Sequence, residues 1–248
     1  MWEEKDAFHI KGQDDSWWWG KARREIVQQC MKEVITHDMN ILEIGAGYGS
    51  MTGMLSHFGT VNAIEPYPDA VSYLQSKLKI KTYQGTFESF SGTERYDLIT
   101  CFDVLEHIED DRKALLKMAA LVNDKGFLVL TVPAYKFLWN RHDEINHHYR
   151  RYSKKELIKK IPRDLLIKKV SYFNTLLFPM AILDKLVLSK NKRSSSFDPN
   201  KVVNRILYRI FSAEKTLLRF LNLPFGVSIL LIAEKRNSRS RNFNEVTG

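Results

Sequence analysis

Apolar residues in this chain fall into short continuous runs that alternate with stretches at helical spacing. That is the pattern of buried parallel strands covered by helices on both faces. Asn40 to Ile44 reads as a first strand, and Met51 to Leu55 resumes at helical spacing. Thr60 to Glu65, Lys79 to Gln84 and Tyr96 to Cys101 read as the second, third and fourth strands. A helix is predicted from Asp111 to Leu121, ending at Gly126, followed by a fifth strand from Phe127 to Pro133. Ser153 is placed to cap a helix from Lys154 to Ile161, with Glu156 completing a capping box, and Leu165 to Phe173 reads as a sixth strand. The pattern describes an open α/β sheet.

The junction between the first strand and its helix is Glu43-Ile44-Gly45-Ala46-Gly47-Tyr48-Gly49. Glycine allows a tight turn and lets a ligand approach backbone where a Cβ would collide. The Gly-x-Gly-x-Gly spacing differs from the Gly-x-Gly-x-x-Gly of a pyrophosphate-binding turn. About twenty residues on, Glu65 ends the second strand, where an acid accepts both ribose hydroxyls of an adenosine ligand. Gly85-Thr86-Phe87-Glu88 follows the third strand, where an adenine can lie.

With these segments in place the chain resembles the class I S-adenosylmethionine-dependent methyltransferases. Glu43 to Gly49 is similar to the family's first motif, Glu65 to its ribose acid and Asp97 to Cys101 to its fourth strand. Val104-Leu105-Glu106-His107-Ile108 resembles the "LEH" segment of its small-molecule members, and Gly226 to Ala233 supplies a last strand. The resemblance implies a doubly wound, mostly parallel, seven-stranded Rossmann-like methyltransferase sheet. It implies S-adenosylmethionine held by Glu43, Gly45, Ala46, Gly47, Gly49, Glu65, Pro66, Thr86, Phe87 and Asp103. Thr86 departs from the pattern, since many relatives carry an aspartate there for the adenine amino group.

Around this core, residues 1–38 are expected to form a helical cap, 39–175 with 223–236 the core, 176–222 a basic helical insertion, and 237–248 a disordered tail. Trp17-Trp18-Trp19 opens the lead-in helix, whose apolar face includes Ile26, Val27, Cys30 and Met31, and related methyltransferases carry a similar aromatic-Arg-Arg lead-in. Trp18 and Trp19 are candidates to cover the substrate mouth, or to pack the helix on the sheet. In the insertion, Leu176 to Leu188 is expected to be helical after Pro179, and Lys190 to Ser196 a flexible basic loop. From Lys201 to Leu221 apolar residues recur at helical spacing with Lys201, Arg205, Arg209 and Arg219 on other faces, as in a membrane-interface helix or an ordinary cap.

Charge sharpens that picture. Residues 1–148 hold 16 Lys+Arg against 22 Asp+Glu, whereas residues 149–248 hold 22 against 7. A basic half beside an acidic one suggests an anionic partner, which can be an anionic membrane surface, a phosphorylated substrate or nucleic acid. Cys30 and Cys101 have neither disulfide nor metal spacing, and Met1 to Asp6 lacks a signal-peptide pattern, so a cytoplasmic protein, peripheral to the inner membrane face, is expected.

Methyl transfer to oxygen needs alignment of the nucleophile and removal of its proton. His107 follows the fourth strand, and Asp103 would share a helical face with it if a helix begins there. Pro133 to Tyr152 follows the fifth strand and is rich in aromatic, histidine and arginine residues, which marks it as the acceptor loop. His147 and His148 are the further candidate bases, and Tyr135, Trp139, Arg141, Arg150 and Arg151 the candidate acceptor contacts. Asp103-x-x-Glu106-His107 resembles the cation-binding run of some metal-dependent methyltransferases, with aspartate in place of the first glutamate, and no metal ion is expected. Cys101-Phe102-Asp103-Val104 speaks against an amino methylase of nucleobases, and nucleic acid is not the expected partner. The resulting expectation is O-methylation of a small-molecule, saccharide or lipid-linked acceptor. The alternatives are an RNA methyltransferase and a non-catalytic scaffold at a membrane.

Overall fold

The computed structural model describes residues 18–187 and 201–237, apart from 33, 35 and 37. Trp17, the basic loop Lys190 to Ser196 and all of the expected tail except Asn237 lie outside the described residues. Helix α1 spans Trp18–Met31 and leads to strand β1, Met39–Ile44. Then follow α2 (Ser50–Leu55), β2 (Gly59–Glu65), α3 (Pro68–Ser76), β3 (Lys81–Gln84) and β4 (Tyr96–Phe102). The next elements are α4 (Asp111–Leu121), β5 (Val122–Pro133), α5 (Arg141–Ile145), α6 (Lys154–Lys160) and β6 (Leu165–Phe173). The chain closes with α7 (Phe178–Val187), α8 (Lys201–Ser212), α9 (Glu214–Phe220) and β7 (Ser228–Lys235).

The seven strands form one sheet in the order β3-β2-β1-β4-β5-β7-β6. β1 to β5 run parallel, and β7 lies antiparallel between β5 and β6. The strand order reverses between the parallel neighbours β1 and β4, so a crevice opens at their carboxyl ends, where ligands bind in such sheets. Two apolar layers sandwich the sheet. On one side α4 and α6 bury Leu115, Met118 and Leu157 against Leu128 and Leu130. On the other, Ile26, Met31, Leu55, Phe211 and Leu218 of α1, α2, α8 and α9 pack on Ile41, Leu98 and Leu230.

The α6 cap forms as the sequence dictates. The Ser153 hydroxyl accepts from the Glu156 N–H at 3.2 Å, and the Glu156 carboxylate accepts from the Ser153 N–H at 2.8 Å. Strand five departs from expectation. It begins at Val122, opposite Tyr96, and the left-handed Lys125 next to Gly126 absorbs a register shift before Leu98. The Lys201 to Leu221 stretch is two helices rather than one, broken at Ala213. Glu214 is drawn inside, where it is fully buried and accepts the Leu176 N–H at 2.6 Å along with those of Asn174 and Thr175.

The inner face of α8 is fixed to α1. Asn204 accepts the Trp18 N–H at 2.9 Å, and Glu25 accepts from Tyr208 and pairs with Lys215 at 2.7 Å. Val202, Ile206 and Ile210 remain outside, 66%, 51% and 42% exposed, on one stripe beside Arg205 and Arg209. The helix is therefore a cap on its inner side, with an apolar stripe left facing outward. No helix among the described residues is long and apolar enough to cross a membrane.

Candidate functional site

The glycine turn sits at the carboxyl end of β1. Gly45 donates to Ile64 O at 2.8 Å and adopts φ +73°; a Cβ there would lie 2.3 Å from Val104 Cγ2, so the turn and the segment after β4 require glycine to pack. Gly47 has φ +54°, and a Cβ there would meet nothing within 4 Å. That is open space beside bare backbone, a cradle that suits a ligand.

Glu65 closes the cradle from β2. Its carboxylate accepts the Gly47 N–H at 2.8 Å and the Tyr67 N–H at 3.0 Å. Burial raises its pKa, while the two backbone donors pull it down. Glu43 is equally buried and is bonded by the Thr52 hydroxyl. With only that neutral partner, burial pushes its pKa up to about 8, helped by the nearby Glu65 charge. Ala46 is buried behind the turn and Pro66 exposed at its edge.

In the loop after β3 the Phe87 ring is buried in the core, Gly85 is half-buried and Thr86 is exposed. Lys117 gathers this loop, donating to the carbonyls of Phe87 at 2.6 Å, Glu88 at 3.2 Å and Phe90 at 2.5 Å. Nothing in the sequence pattern announces that role, because Lys117 sits on a helix distant in the chain.

Asp103 is not helical. It takes φ +53° and the following turn, Leu105–His107, is a single 3-10 turn, so Asp103 and His107 do not share a helix face. Asp103 instead pairs with Arg23 at 2.6 Å and accepts from the Thr131 hydroxyl at 3.1 Å. Arg23 lies over the Trp19 ring at 5.3 Å, so this part of the lead-in helix reaches the ends of β4 and β5. Trp18 does not: it is buried against Phe211 at 5.8 Å, in the core and away from the crevice.

The loop after β5 is closed by pairing of Ala134 with Tyr152 and organised by Asp143, which is 0% exposed. Asp143 accepts from Arg151 Nε at 2.8 Å and the Asn140 N–H at 2.8 Å, and its Oδ1 lies 2.8 Å from His148 Nδ1. Burial alone would raise this carboxyl, yet the three partners outweigh it and hold its pKa at about 2. His148 meets the His107 ring edge-on at 4.5 Å. Although part of the His107 ring meets solvent, crowding disfavours its cation first and His148 second, so its pKa falls to about 4.

Glu106 lies beneath, 1% exposed, with Oε2 buried and no hydrogen-bond partner. Ligand atoms of Glu106, His107 and His148 come within 4.8 Å of one another, a grouping that can hold a metal ion. The cluster contains Glu106 and His107 of the sequence-derived run, but His148 in place of Asp103.

Other candidates fall apart from this group. His147 has φ +53° and is exposed, and it is His148 that bonds Asp143, although the charge of His147 is felt at His107. Arg150 pairs with Asp111 at 2.9 Å and Arg151 with Asp143, so both guanidinium groups hold the loop. Arg141 is exposed, and the Trp139 carbonyl accepts from Lys185. Tyr135 stacks on Tyr172 at 4.9 Å and joins Phe137 and Phe178 in an aromatic rim facing the insertion.

A family model described as "Methyltransferase domain" matches residues 18–166. The ubiquinone biosynthesis O-methyltransferase of Rickettsia bellii is 25% identical over 100 residues, 38% of this chain and 42% of that protein. The match thus spans under half the length of that curated relative. Among solved structures, the N-methyltransferase NodS of Bradyrhizobium japonicum with S-adenosyl-L-homocysteine gives a TM-score of 0.53 at 16% identity, covering 88% of this chain and 87% of that one. The [4+2]-cyclase SpnF gives 0.60 at 12% identity, covering 89% and 83%. At these identities the structures speak for the fold alone.

The buried Glu43 yields a pH signature. An acid whose pKa is raised in the fold keeps its proton there when the unfolded chain has lost it, so stability falls as pH rises from about 4.5 to 8. Glu43→Gln should flatten this fall relative to the parent protein by on the order of 1–3 kcal/mol. Denaturant unfolding at pH 5 and pH 8.5 measures it; equal slopes in both proteins contradict the assignment.

Proposed function

The chain belongs to the methyltransferase-domain family, and from that premise we propose that it methylates an oxygen of a small acceptor, using S-adenosylmethionine, with His148 as general base. The observation that carries this reading is the pairing of His148 with the fully buried Asp143, next to His107 at the end of β4. S-adenosylmethionine supplies an electrophilic methyl group on a sulfonium, whose departure as a neutral thioether needs no acid. The open space at Gly47 and the oriented Glu65 carboxylate fit its adenosine.

The protein residues then align and deprotonate the acceptor. Asp143 bonds His148 at Nδ1, which fixes the ring and stabilises the imidazolium that forms when the other nitrogen takes a proton. His107 is a poor base at a pKa of about 4, and staying neutral it does not oppose charge on His148. The rim of Tyr135, Phe137 and Phe178 suits an acceptor with an aromatic, saccharide or lipid-like face. Relatives named as O-methyltransferases support oxygen as the acceptor atom.

His148→Ala should cut turnover by roughly a hundredfold with S-adenosylmethionine affinity intact, and His147→Ala should leave turnover near that of the parent. The reverse order, or full turnover in His148→Ala, removes His148 from the chemistry. A second reading arises from the unpartnered Glu106 Oε2: a divalent cation at Glu106, His107 and His148 that polarises the acceptor oxygen. Turnover abolished by chelation and restored by a divalent salt selects the cation; turnover indifferent to chelation selects the base.

The outward stripe of α8 supports a membrane surface as partner. Val202, Ile206 and Ile210 can enter the interface while Arg205 and Arg209 meet anionic headgroups, each worth about 1 kcal/mol near such a surface. Co-sedimentation with phosphatidylglycerol vesicles is expected, weakening with salt and with Arg205→Glu/Arg209→Glu. No binding at low salt makes α8 a plain cap.

A further inference from the structure

On the face of the sheet opposite α8, a cavity of about 800 Å³ opens between α4, α6 and the start of β6. Its wall carries Arg112 from α4, Lys159 and Lys160 from α6, Arg163 from the turn into β6, and Arg236 just after β7. Four segments thus bring five cations to one cavity. The one acid in the wall, Asp164, is taken by Lys235 at 2.6 Å, and Lys160 is neutralised by Asp111 at 2.8 Å. For Arg112, Lys159, Arg163 and Arg236 the structure offers no side-chain partner among the described residues. Converging cations repel unless an anion joins them, and guanidinium forks match phosphate oxygens in pairs. The backbone keeps them in place: the Arg236 N–H donates to Asp164 O at 2.9 Å, and the buried Pro162 stiffens the turn between Lys160 and Arg163. Leu116, 57% exposed, and Ile161 add an apolar side to the same wall.

We propose that this cavity binds a diphosphate group, with Arg112, Lys159, Arg163 and Arg236 on its oxygens and Leu116 with Ile161 against the moiety attached to it. The volume lies in the range of small-molecule sites. The methyl-transfer residues do not line it, so the inference stands apart from the reading above. The same chemistry is available from a free nucleotide or metabolite and from a lipid diphosphate, and the apolar wall distinguishes the two.

Calorimetric titration of the full-length protein at fixed ionic strength tests it, with pyrophosphate, farnesyl diphosphate and sulfate as probes. Saturable one-to-one binding of pyrophosphate, at least about tenfold tighter than sulfate, is the expected result. Arg163→Ser/Arg236→Ser should weaken it by about tenfold or more, while Arg205→Glu/Arg209→Glu on the opposite face should leave it unchanged. Farnesyl diphosphate binding more tightly than pyrophosphate, with the margin lost in Leu116→Ser, assigns a lipid source; equal affinities assign a soluble one. Both of those results support the site. Heats that match sulfate, or affinity untouched by Arg163→Ser/Arg236→Ser in a variant with the parent's melting temperature, overturn it. Binding of an RNA hairpin that is lost in Arg163→Ser/Arg236→Ser but not displaced by pyrophosphate overturns it as well.

Discussion

Burying carboxylates at one edge of a sheet is the constraint on which the rest of this molecule depends. Glu43, Glu65, Glu106 and Asp143 lie at or next to the carboxyl ends of the parallel strands, and each is 2% exposed or less. A buried charge costs several kcal/mol unless it is paired, bonded or neutralised. Each of the four meets that cost differently. Asp143 is paired with Arg151 and bonded to His148, which ties down the loop after β5. Glu65 is bonded by two backbone N–H groups, which fixes the glycine turn. Glu43 holds its proton toward pH 8. Glu106 has an oxygen with no partner at all, next to two imidazoles.

Those differences divide labour across the edge. A carboxylate oriented by backbone donors keeps lone pairs for ligand hydroxyl groups. A carboxylate that anchors an imidazole makes that imidazole a better base. The orphan oxygen of Glu106 marks a place where a cation or an acceptor proton would be welcome. On this view the lead-in helix is part of the edge as well, since Arg23 reaches from α1 to Asp103 and Thr131 and so spans the ends of β4 and β5.

Much of this was legible in the sequence, for identifiable reasons. Buried parallel strands are short apolar runs, and a glycine turn followed by an acid at the next strand end has few other uses. The Ser153–Glu156 box was legible because its partners are three residues apart. Contacts between distant segments were not. The lysine that gathers the loop after β3, the partners of Arg150 and Arg151, and the burial of Trp18 beneath α8 are set by tertiary packing, which local patterns do not record. The break at Ala213 belongs with these, because its cause is the pull of the Asn174–Leu176 turn on Glu214. Where the loop supplied two adjacent histidines, backbone geometry chose between them: the left-handed His147 turns outward, and His148 faces Asp143.

The central claim is that Glu65 and the glycine turn hold S-adenosylmethionine. Titrating S-adenosylmethionine into the parent protein and into Glu65→Ala by calorimetry tests it most directly. One-to-one binding in the parent, weakened by about tenfold or more in Glu65→Ala, is predicted, since an oriented charged acceptor is lost. Equal affinity in the two proteins, or binding of NAD in preference to S-adenosylmethionine, would contradict it.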